Sequence, residues 1–593
     1  MHILILEDSK ASRVLLEARL NKAGHTTQSA VNGRQGFLLA TSKQYDVIIS
    51  DLNMPGWDGF KFIEAMKVVC PRIPIIVISG SFDDPETRER LLSTETVIGV
   101  FGKPFDFNQI DELLSGLKGQ TNSSVSKMAR IVATIGPASN TKEILGKMIV
   151  AGMDVARLNF SHGSHEDHAK TLANIRSAEK EWGKPIAVLQ DLCGPKIRTG
   201  QMEDNEVQLV TGKTVTIQAK TIIGNSSRFS TIAPEILSDL REGDPVLLDD
   251  GLLELKVIKE GAEDVRCKII MGGILKSSKG INLPMTRLSL PSVTEKDKRD
   301  LAWGLDHSVD YVALSFVRSA AEILDIKKII VTSGKRDIRV IAKIEKPEAV
   351  EHIMDIIEAA DAIMIARGDM GIELPAARVP RIQQEIINLC WQQNTPVITA
   401  TQMLDSMTVN AIPTRAEVTD VSVAIKEGTD AVMLSGETAA GRDPVNVVRT
   451  MASIITEEEQ YQFSDPFEES KDSLKKAPPA IAAAANLPGV ALTMLLDTRG
   501  TLYQHLSKYS RNEPNILVTR SLHVARHSSL YKNLVPIIIR DDISRDEMVF
   551  KAIGIAKEWG YLHTGDIFAV VEGERLTQGG IPQAGALQLI TVS

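Results

Sequence analysis

The sequence predicts an α/β chain built of four parts: an open α/β domain, a (β/α)8 barrel, a small β domain inserted into that barrel, and a closing α/β domain. Three observations predict this. Before residue 118, short apolar runs (ILIL, DVIIS, IPIIVIS, GVFGK) alternate with amphipathic stretches, the layout of an open sheet with helices on its faces. After residue 127 there are eight such runs: ARIVATIG, DVARLNFS, PIAVLQDL, DYVALSF, IRVIAKIE, AIMIARG, PVITATQ and AVMLSGE. That number suits a closed barrel. Between the third and fourth, residues 200–283 turn to alternating runs such as TVTIQAK and LLELKVI, the pattern of a half-buried antiparallel sheet.

The boundaries follow in order. Residues 1–117 form the first domain. The polar stretch KGQTNSSVSK (118–127) is a linker, and 128–199 with 284–460 make the barrel. Residues 200–283 are the insertion, expected as a β-barrel lid, and 470–593 are the last domain. That domain has strands in ALTMLLD, NILVTRS and VPIIIRD, a short helix in KAPPAIAAAANLPG, and a Gly-rich β-like tail.

At 593 residues the chain exceeds one core and implies three or four domains. With 43% hydrophobic and 24% charged residues it is ordinary globular material. A net charge of −9 without clustered Lys/Arg argues against nucleic-acid binding. The four cysteines (Cys70, Cys193, Cys267, Cys390) are too scattered for a disulfide framework or a zinc site. MHILILEDSK reads as a strand followed by two acids rather than a signal peptide, and no apolar run has membrane length. The expected location is the cytoplasm.

Chemistry-bearing residues collect at strand ends in two places. In the first domain Glu7 and Asp8 end one strand, Asp51 a second, Ser79 a third and Lys103 a fourth. Clustered acids repel unless a divalent cation sits among them, and hard oxygens suit Mg²⁺. Lys103 offers fixed positive charge and Ser79 a hydroxyl. With the run Asp51-Leu52-Asn53-Met54-Pro55 and Lys103-Pro104-Phe105, positions 1–117 resemble a response-regulator receiver domain, whose fold is flavodoxin-like. The resemblance implies that Asp51 accepts phosphate from a cognate histidine kinase or a small phosphodonor. It also implies that Glu7, Asp8, Asp51 and the backbone of Asn53 hold Mg²⁺, and that Ser79 and Lys103 bind the acyl phosphate. The aromatic switch usual three residues before the lysine is Val100 here, beside Phe101.

In the barrel, polar groups recur at strand ends after roughly 26 to 34 residues, one strand-loop-helix-loop unit: Lys343 and Glu345, Arg367 and Asp369, Thr399 and Thr401, Ser435 and Glu437. Lys343 and Glu345 alternate by two and share a face, and Asp369 on the next strand can share a metal with Glu345. Gly368 and the Asp369 amide lie where a helical turn could receive a carboxylate. A phosphoryl group in flight asks for cations placed around it.

The stretches RIVATIGPAS, ARLNFSHGSHEDH, QDLCGPKIRTG, KGINLP, IAKIE, MIARGDMGIELP, TATQMLDSM, PTRAEVTDV and AVMLSGETA are similar to those of pyruvate kinases. The resemblance covers 127–455, with 470–593 like a shortened form of that family's C-terminal domain. It implies transfer of phosphate from phosphoenolpyruvate to ADP, giving pyruvate and ATP. Arg157 would grip the substrate phosphate and Lys343 the migrating phosphoryl group. Glu345 and Asp369 would hold Mg²⁺ or Mn²⁺, with Gly368, Asp369 and Thr401 around the carboxylate and enolate. Thr401 and Ser435, with water, would relay the proton. Asn159, Phe160, Ser161, His162, Arg198 and Lys279 would bind nucleotide, and the insertion would close over it. The monovalent-cation positions are Asn159, Ser161, Asp191 and Leu192. Lys196 stands where potassium-dependent members carry Glu, so activity without added K⁺ is expected. A homo-oligomer, a tetramer as is usual in the family, is also expected.

Plainer readings stand beside these. His162, His165 and His168 read as helix-start capping, nucleotide contact or solvent-facing groups rather than a metal cluster, and Cys193 as a small filler. The run EKDKRD (295–300) reads as an exposed helix start, and Met403 and Met407 as packing. The loop LDTRGTLYQHLSKYSR (496–511) falls where relatives bind a sugar phosphate. Arg499, Gly500 and Thr501 could hold one, but a lost or altered effector site is expected. The fusion suggests control of the enzyme by phosphorylation of Asp51. A barrel that only senses phosphoenolpyruvate, or a receiver-driven scaffold, is the alternative.

Overall fold

The computed structural model describes all residues except 43–44, 71–72, 81–84, 95, 105–106, 117–126, 285, 461–483, 485–486, 488, 498–499, 501, 510–514, 560, 573–574, 577–581, 584–586 and 593. The linker except Lys127, most of the Ala/Pro stretch, and Arg499 and Thr501 thus lie outside the described residues.

The first domain runs β1 (His2–Leu6), α1 (Lys10–Lys22), β2 (Thr26–Ala30), α2 (Gly33–Ser42), β3 (Val47–Asp51), α3 (Gly59–Val69), β4 (Ile75–Ser79), α4 (Pro85–Leu92), β5 (Val97–Gly102) and α5 (Phe107–Gly116). Its sheet is parallel, in the doubly wound order β2-β1-β3-β4-β5. The inner strands β3 and β4 are buried along their whole length, so they read as unbroken apolar runs. Strand β2, TTQSA, is absent from the apolar runs because it is an edge strand, half exposed along most of its length.

The barrel closes as expected. Its ring is β6 (Arg130–Thr134), β7 (Val155–Asn159), β8 (Ala187–Asp191), β17 (Tyr311–Leu314), β18 (Arg339–Ile344), β19 (Ala362–Ala366), β20 (Val397–Ala400) and β21 (Ala431–Leu434), with β21 paired back to β6. Strands β9 (Glu206–Leu209), β10 (Thr214–Gln218), β11 (Arg228–Ser230), β12 (Pro245–Leu248), β13 (Leu253–Lys259), β14 (Asp264–Met271), β15 (Gly273–Lys276) and β16 (Ile281–Asn282) belong to the insertion. The barrel interior is filled by Val132, Val155, Leu189, Tyr311, Ile341, Met364, Ile398 and Met433, in one cluster with Tyr503, Tyr531 and Leu534 of the last domain. Tyr311, at the first position of β17, donates its hydroxyl to His527 O at 2.8 Å. The last domain therefore plugs the amino-terminal mouth of the barrel and leaves the carboxyl mouth open for chemistry.

The insertion differs from the expected β-barrel. Its pairings give an open six-stranded sheet, β11-β10-β14-β13-β12-β16, and a two-stranded ribbon, β15-β9. The ribbon still buries Val207, Leu209 and Leu275 in the sheet's core, so apolar burial joins the two without a continuous hydrogen-bonded ring. The last domain has a five-stranded sheet that includes Thr493–Leu496, Asn515–Thr519, Leu534–Ile538, Ile567–Glu572 and the antiparallel Leu587–Thr591. No helix among the described residues is long and apolar enough to cross a membrane.

Candidate active site

At the carboxyl mouth of the barrel, β18 turns Lys343 and Glu345 onto one another. The Lys343 ammonium stands 3.0 Å from Glu345 Oε1 and 3.4 Å from Asp191 Oδ1, and donates to Ser315 Oγ at 2.7 Å. Burial alone would lower the lysine's pKa, but Asp191 and Glu345 outweigh it and hold the ammonium charged well above its ordinary range. Arg157, at the third position of β7, donates Nε to Asp191 Oδ2 at 2.7 Å and Nη1 to Thr134 Oγ1 at 2.7 Å. Asp191 thus joins the two cations and is held below the usual carboxylate range, its own burial overcome by Lys343 and Arg157.

Glu345 is fully buried, and its Oε2 accepts from Phe316 N at 2.7 Å. Phe316 sits at φ +56°, a strained value for an aromatic residue, and this aims its amide at the carboxylate. Burial raises the pKa of both Glu345 and Asp369. Glu345 Oε1 and Asp191 Oδ1 are buried, meet the Lys343 ammonium only as an ion pair, and accept no hydrogen bond among the described residues. Two hard carboxylates with raised proton affinity and an oxygen unspent on hydrogen bonds fit a divalent cation.

Thr401 follows β20 at φ +73°, rare for a β-branched residue. Its Oγ1 accepts from Gly368 N at 2.7 Å and donates to Ala400 O at 2.6 Å. The strain is held by Arg367, which donates to Thr401 O at 2.7 Å and to both carboxylate oxygens of Asp420. Arg367 is therefore a brace rather than a reactive group. Two further residues of the strand-end set also turn away. Thr399 is buried against Thr429 Oγ1 at 3.0 Å, and Glu437 is spent on the amides of Ser435 and Leu404. Ser435 directly follows β21, beside the strand that leads to Thr401.

A cleft of about 510 Å³ separates barrel and insertion, lined among others by Lys196, Arg198, Lys279, Phe316, Lys346 and Asp369. Lys279 bridges Asp249 at 2.8 Å. Asn159, Ser161 and His162 do not line it, although Lys196 and Arg198, after burial, lower the His162 pKa, which places that loop near the cleft's cations. Phe160, in the same loop, turns its ring away from the cleft. Its ring is buried, stacked on His168 at 4.0 Å and tilted against Trp303, because an aromatic ring gains more in the core than at a wet loop.

Two of the three histidines have partners of their own. His165 pairs with Asp300, His168 bonds His162 O, and helix α7 (His165–Trp182, after α6, Lys142–Ala151) is capped by Ser164. The charged run 295–300 begins helix α8 (Glu295–Asp306) but is not simply exposed. Asp297 and Asp300 are buried, and Asp297 accepts from Gly194 N at 3.1 Å, bracing the active-site loop. Met403 and Met407 are buried as expected. Sequence reasoning missed Ser315 and Phe316, which follow an apolar strand and were legible only as its end.

In the first domain Lys103 donates to Asp51 Oδ2 at 2.5 Å and to Glu7 Oε2 at 2.7 Å. Burial alone would lower the lysine's pKa, but these acids reverse it and raise it. Ligand atoms of Glu7, Asp8 and Asp51 lie within 4.8 Å of one another, the only such acidic group of three among the described residues. Asn53 N donates to Asp51 Oδ1 at 3.1 Å. In the last domain, the Asp497 carboxylate occupies the amides of Gly500, Leu502 and Tyr503, where an anionic effector would need donors.

An ammonium and two metal-fit acids at a barrel mouth, beside a cleft under a small β domain, define a phosphoryl-transfer enzyme with a receiver module at its head. Residues 126–448 match the barrel domain of pyruvate kinase, 477–581 its alpha/beta domain, and 3–115 the response regulator receiver domain. Pyruvate kinases of Staphylococcus aureus (strain USA300) and Staphylococcus haemolyticus (strain JCSC1435) are each 40% identical over 473 residues, covering 78% of this chain and 80% of theirs. A crystal structure of a pyruvate kinase from Cryptosporidium parvum superposes with a TM-score of 0.74 at 32% identity, covering 79% of this chain and 96% of that one. The chain belongs to the pyruvate kinase family and carries an N-terminal receiver domain.

Proposed function

We propose that the chain moves the phosphoryl group of phosphoenolpyruvate onto ADP at the barrel mouth, under control of Asp51. The observation that carries this is the Lys343 ammonium, buried yet held charged between Asp191 and Glu345. In transfer, the phosphorus–enol oxygen bond breaks and a bond to the terminal oxygen of ADP forms. Lys343 steadies the phosphoryl oxygens between them, and Arg157, fixed by Asp191 and Thr134, grips the phosphate. Glu345 and Asp369 hold the divalent cation, Mg²⁺ or Mn²⁺, which when bound supplies positive charge to the phosphoryl and enolate oxygens.

Gly368, Asp369 and Thr401 frame the substrate carboxylate and enolate. Thr401 and Ser435 pass a proton to the enolate carbon through water, since a bare hydroxyl is a weak acid. Arg198 and Lys279 meet the nucleotide in the cleft, and the loop of Asn159, Phe160, Ser161 and His162 reaches it from beside the cleft. The insertion closes over ADP to keep water out. Lys196 is exposed and its charge reaches Asp369, which supports an ammonium doing the work of K⁺ near Asn159, Ser161, Asp191 and Leu192. With Asp497 filling the loop amides, control passes from a sugar phosphate to the receiver. There Glu7, Asp8, Asp51 and the Asn53 backbone hold Mg²⁺, while Ser79 and Lys103 receive the phosphate given by a histidine kinase or small phosphodonor. The enzyme works as a homo-oligomer in the cytoplasm. A coupled assay for pyruvate tests the reading: wild type forms it from phosphoenolpyruvate and ADP, and Lys343→Met forms it far more slowly. Equal pyruvate from both proteins would overturn it.

A further inference from the structure

The receiver and the barrel meet on a surface that begins at the phosphate acceptor. From Asp51 the chain runs through a short loop to Asp58, the cap of α3. The loop is tied at both ends: Asn53 N bonds Asp51 Oδ1, and Gly59 N bonds Leu52 O at 2.9 Å. A Cβ on Gly59 would lie 2.2 Å from Asp51 O, so only glycine permits this closure. Trp57 stands at the loop's far end, its carbonyl held by Gly33 N at 2.8 Å.

Trp57 packs edge-on against Trp182, the last residue of α7, with ring centroids 4.8 Å apart at 87°. Lys61 from α3 lies 4.6 Å from the Trp182 ring centroid and donates to Glu181 O at 2.7 Å. Arg34 from α2 donates to Gly183 O at 2.9 Å and covers Trp559 of the last domain. Arg449, on the barrel helix Pro444–Gln460, donates to Val68 O at the end of α3. Two receiver cations thus satisfy carbonyls at the carboxyl end of α7, the end where a helix leaves acceptors unpaired and its dipole favours positive charge.

Both ends of α7 lead to the active site. Its first residue follows the loop Asn159–Ser164, which Lys296 holds through Phe160 O at 2.7 Å and His168 through His162 O at 2.9 Å. In its last turn Glu179 accepts from Ile186 N at 3.0 Å, one residue before β8, and β8 ends on Asp191, the partner of Arg157 and Lys343. The usual aromatic switch beneath Lys103 is replaced by buried Val100.

Resting on the reading of Asp51 as a regulatory phosphate acceptor, we propose that the receiver acts as a movable carboxyl cap of α7. Phosphate on Asp51 shifts the Trp57 loop, and α7 carries that shift to the nucleotide-side loop and to Asp191. The face formed by α2, α3 and the Trp57 loop is the output surface, and its partner is this chain's own barrel.

The test uses the full chain, treated with acetyl phosphate and Mg²⁺, with intact mass reporting phosphate on the protein. Saturation curves for ADP and phosphoenolpyruvate are taken with and without treatment. The wild type is expected to shift by about fivefold or more in KM or kcat. Trp57→Ala and, separately, Arg34→Gln with Lys61→Gln should take up phosphate, keep basal turnover and lose the shift. Hydrogen exchange at the α7 carboxyl end should change on phosphorylation in the wild type alone. A wild type that responds while both variants respond equally overturns the route and leaves regulation standing. A wild type that gains no phosphate, or gains it with unchanged curves, removes the regulatory reading and the cap with it.

Discussion

The receiver and the barrel set the same three groups, a lysine and two acids, at the ends of parallel strands, and differ in how deeply they sink the lysine. The Lys103 side chain is 25% exposed above Asp51 and Glu7, whereas that of Lys343 is 11% exposed and its partner Glu345 wholly buried. Asp51 is itself buried, so what opens the receiver rim to a phosphate from outside is its more exposed lysine. An acid sunk beneath strained Phe316 and beside an ammonium is committed to holding charge in place while phosphate passes overhead. On the proposed reading, the depth of the ammonium, more than residue type, separates the acceptor from the transfer site, because low dielectric strengthens every fixed charge.

The largest test breaks the symmetry directly. Lys343→Met should cost about 10²- to 10³-fold in kcat, the scale of losing one preorganised donor to transition-state charge. Lys103→Met should leave pyruvate formation unchanged and abolish any response to acetyl phosphate, as the coupled assay reads out. If Lys103→Met slowed the basal reaction equally, the two sites would not be separable.

Burial at the other end of the barrel makes the next prediction. His527, between Tyr311 and Asp310 O, is pushed down to about 3 from 6.5 by burial, with Arg339 adding to it. The unfolded chain binds this proton below 6.5 and the folded chain only near 3, so stability falls as pH drops through that window, by about 1.4 kcal/mol per unit. Urea unfolding of the barrel at pH 7 and pH 5 should show the loss, and His527→Gln should flatten it. A pH-independent midpoint in wild type would remove this account of the seam.

Arg367→Ala releases the strained Thr401 turn and leaves Asp420 unpaired. About 2–3 kcal/mol of stability and roughly tenfold in kcat should go, with KM for phosphoenolpyruvate nearly unchanged. Thermal unfolding and steady-state kinetics measure both. The smallest effect concerns Lys196: rates in K⁺ and in tetramethylammonium should agree within about twofold, and Lys196→Glu should restore a demand for K⁺. Strong stimulation of the wild type by K⁺ would show that the ammonium does not replace the ion.

The barrel was legible because its strands are buried on both faces and so write mostly apolar runs, interrupted by single polar residues such as Arg157 and Lys343. Strand β2 was not, since an edge strand can be as polar as TTQSA. The same rule overreached at the rim. Thr399, Arg367 and Glu437 stand at strand ends as Thr401 and Asp369 do, yet they turn into packing or brace the backbone. Spacing reports which residues reach the rim, while side-chain direction depends on neighbours far along the chain. Phe160 likewise kept its loop position but gave its ring to the core.

By itself the sequence determined the two α/β modules, the order of barrel strands, and the lysine and acids on each rim, because strand periodicity and residue charge are local properties. The tertiary structure alone decided that the insertion pairs as an open sheet, that Asp191 joins Arg157 to Lys343, and that Trp57 meets Trp182 across two domains. Those depend on chain segments brought together from a distance, where burial and partner geometry, rather than spacing, set what each side chain does.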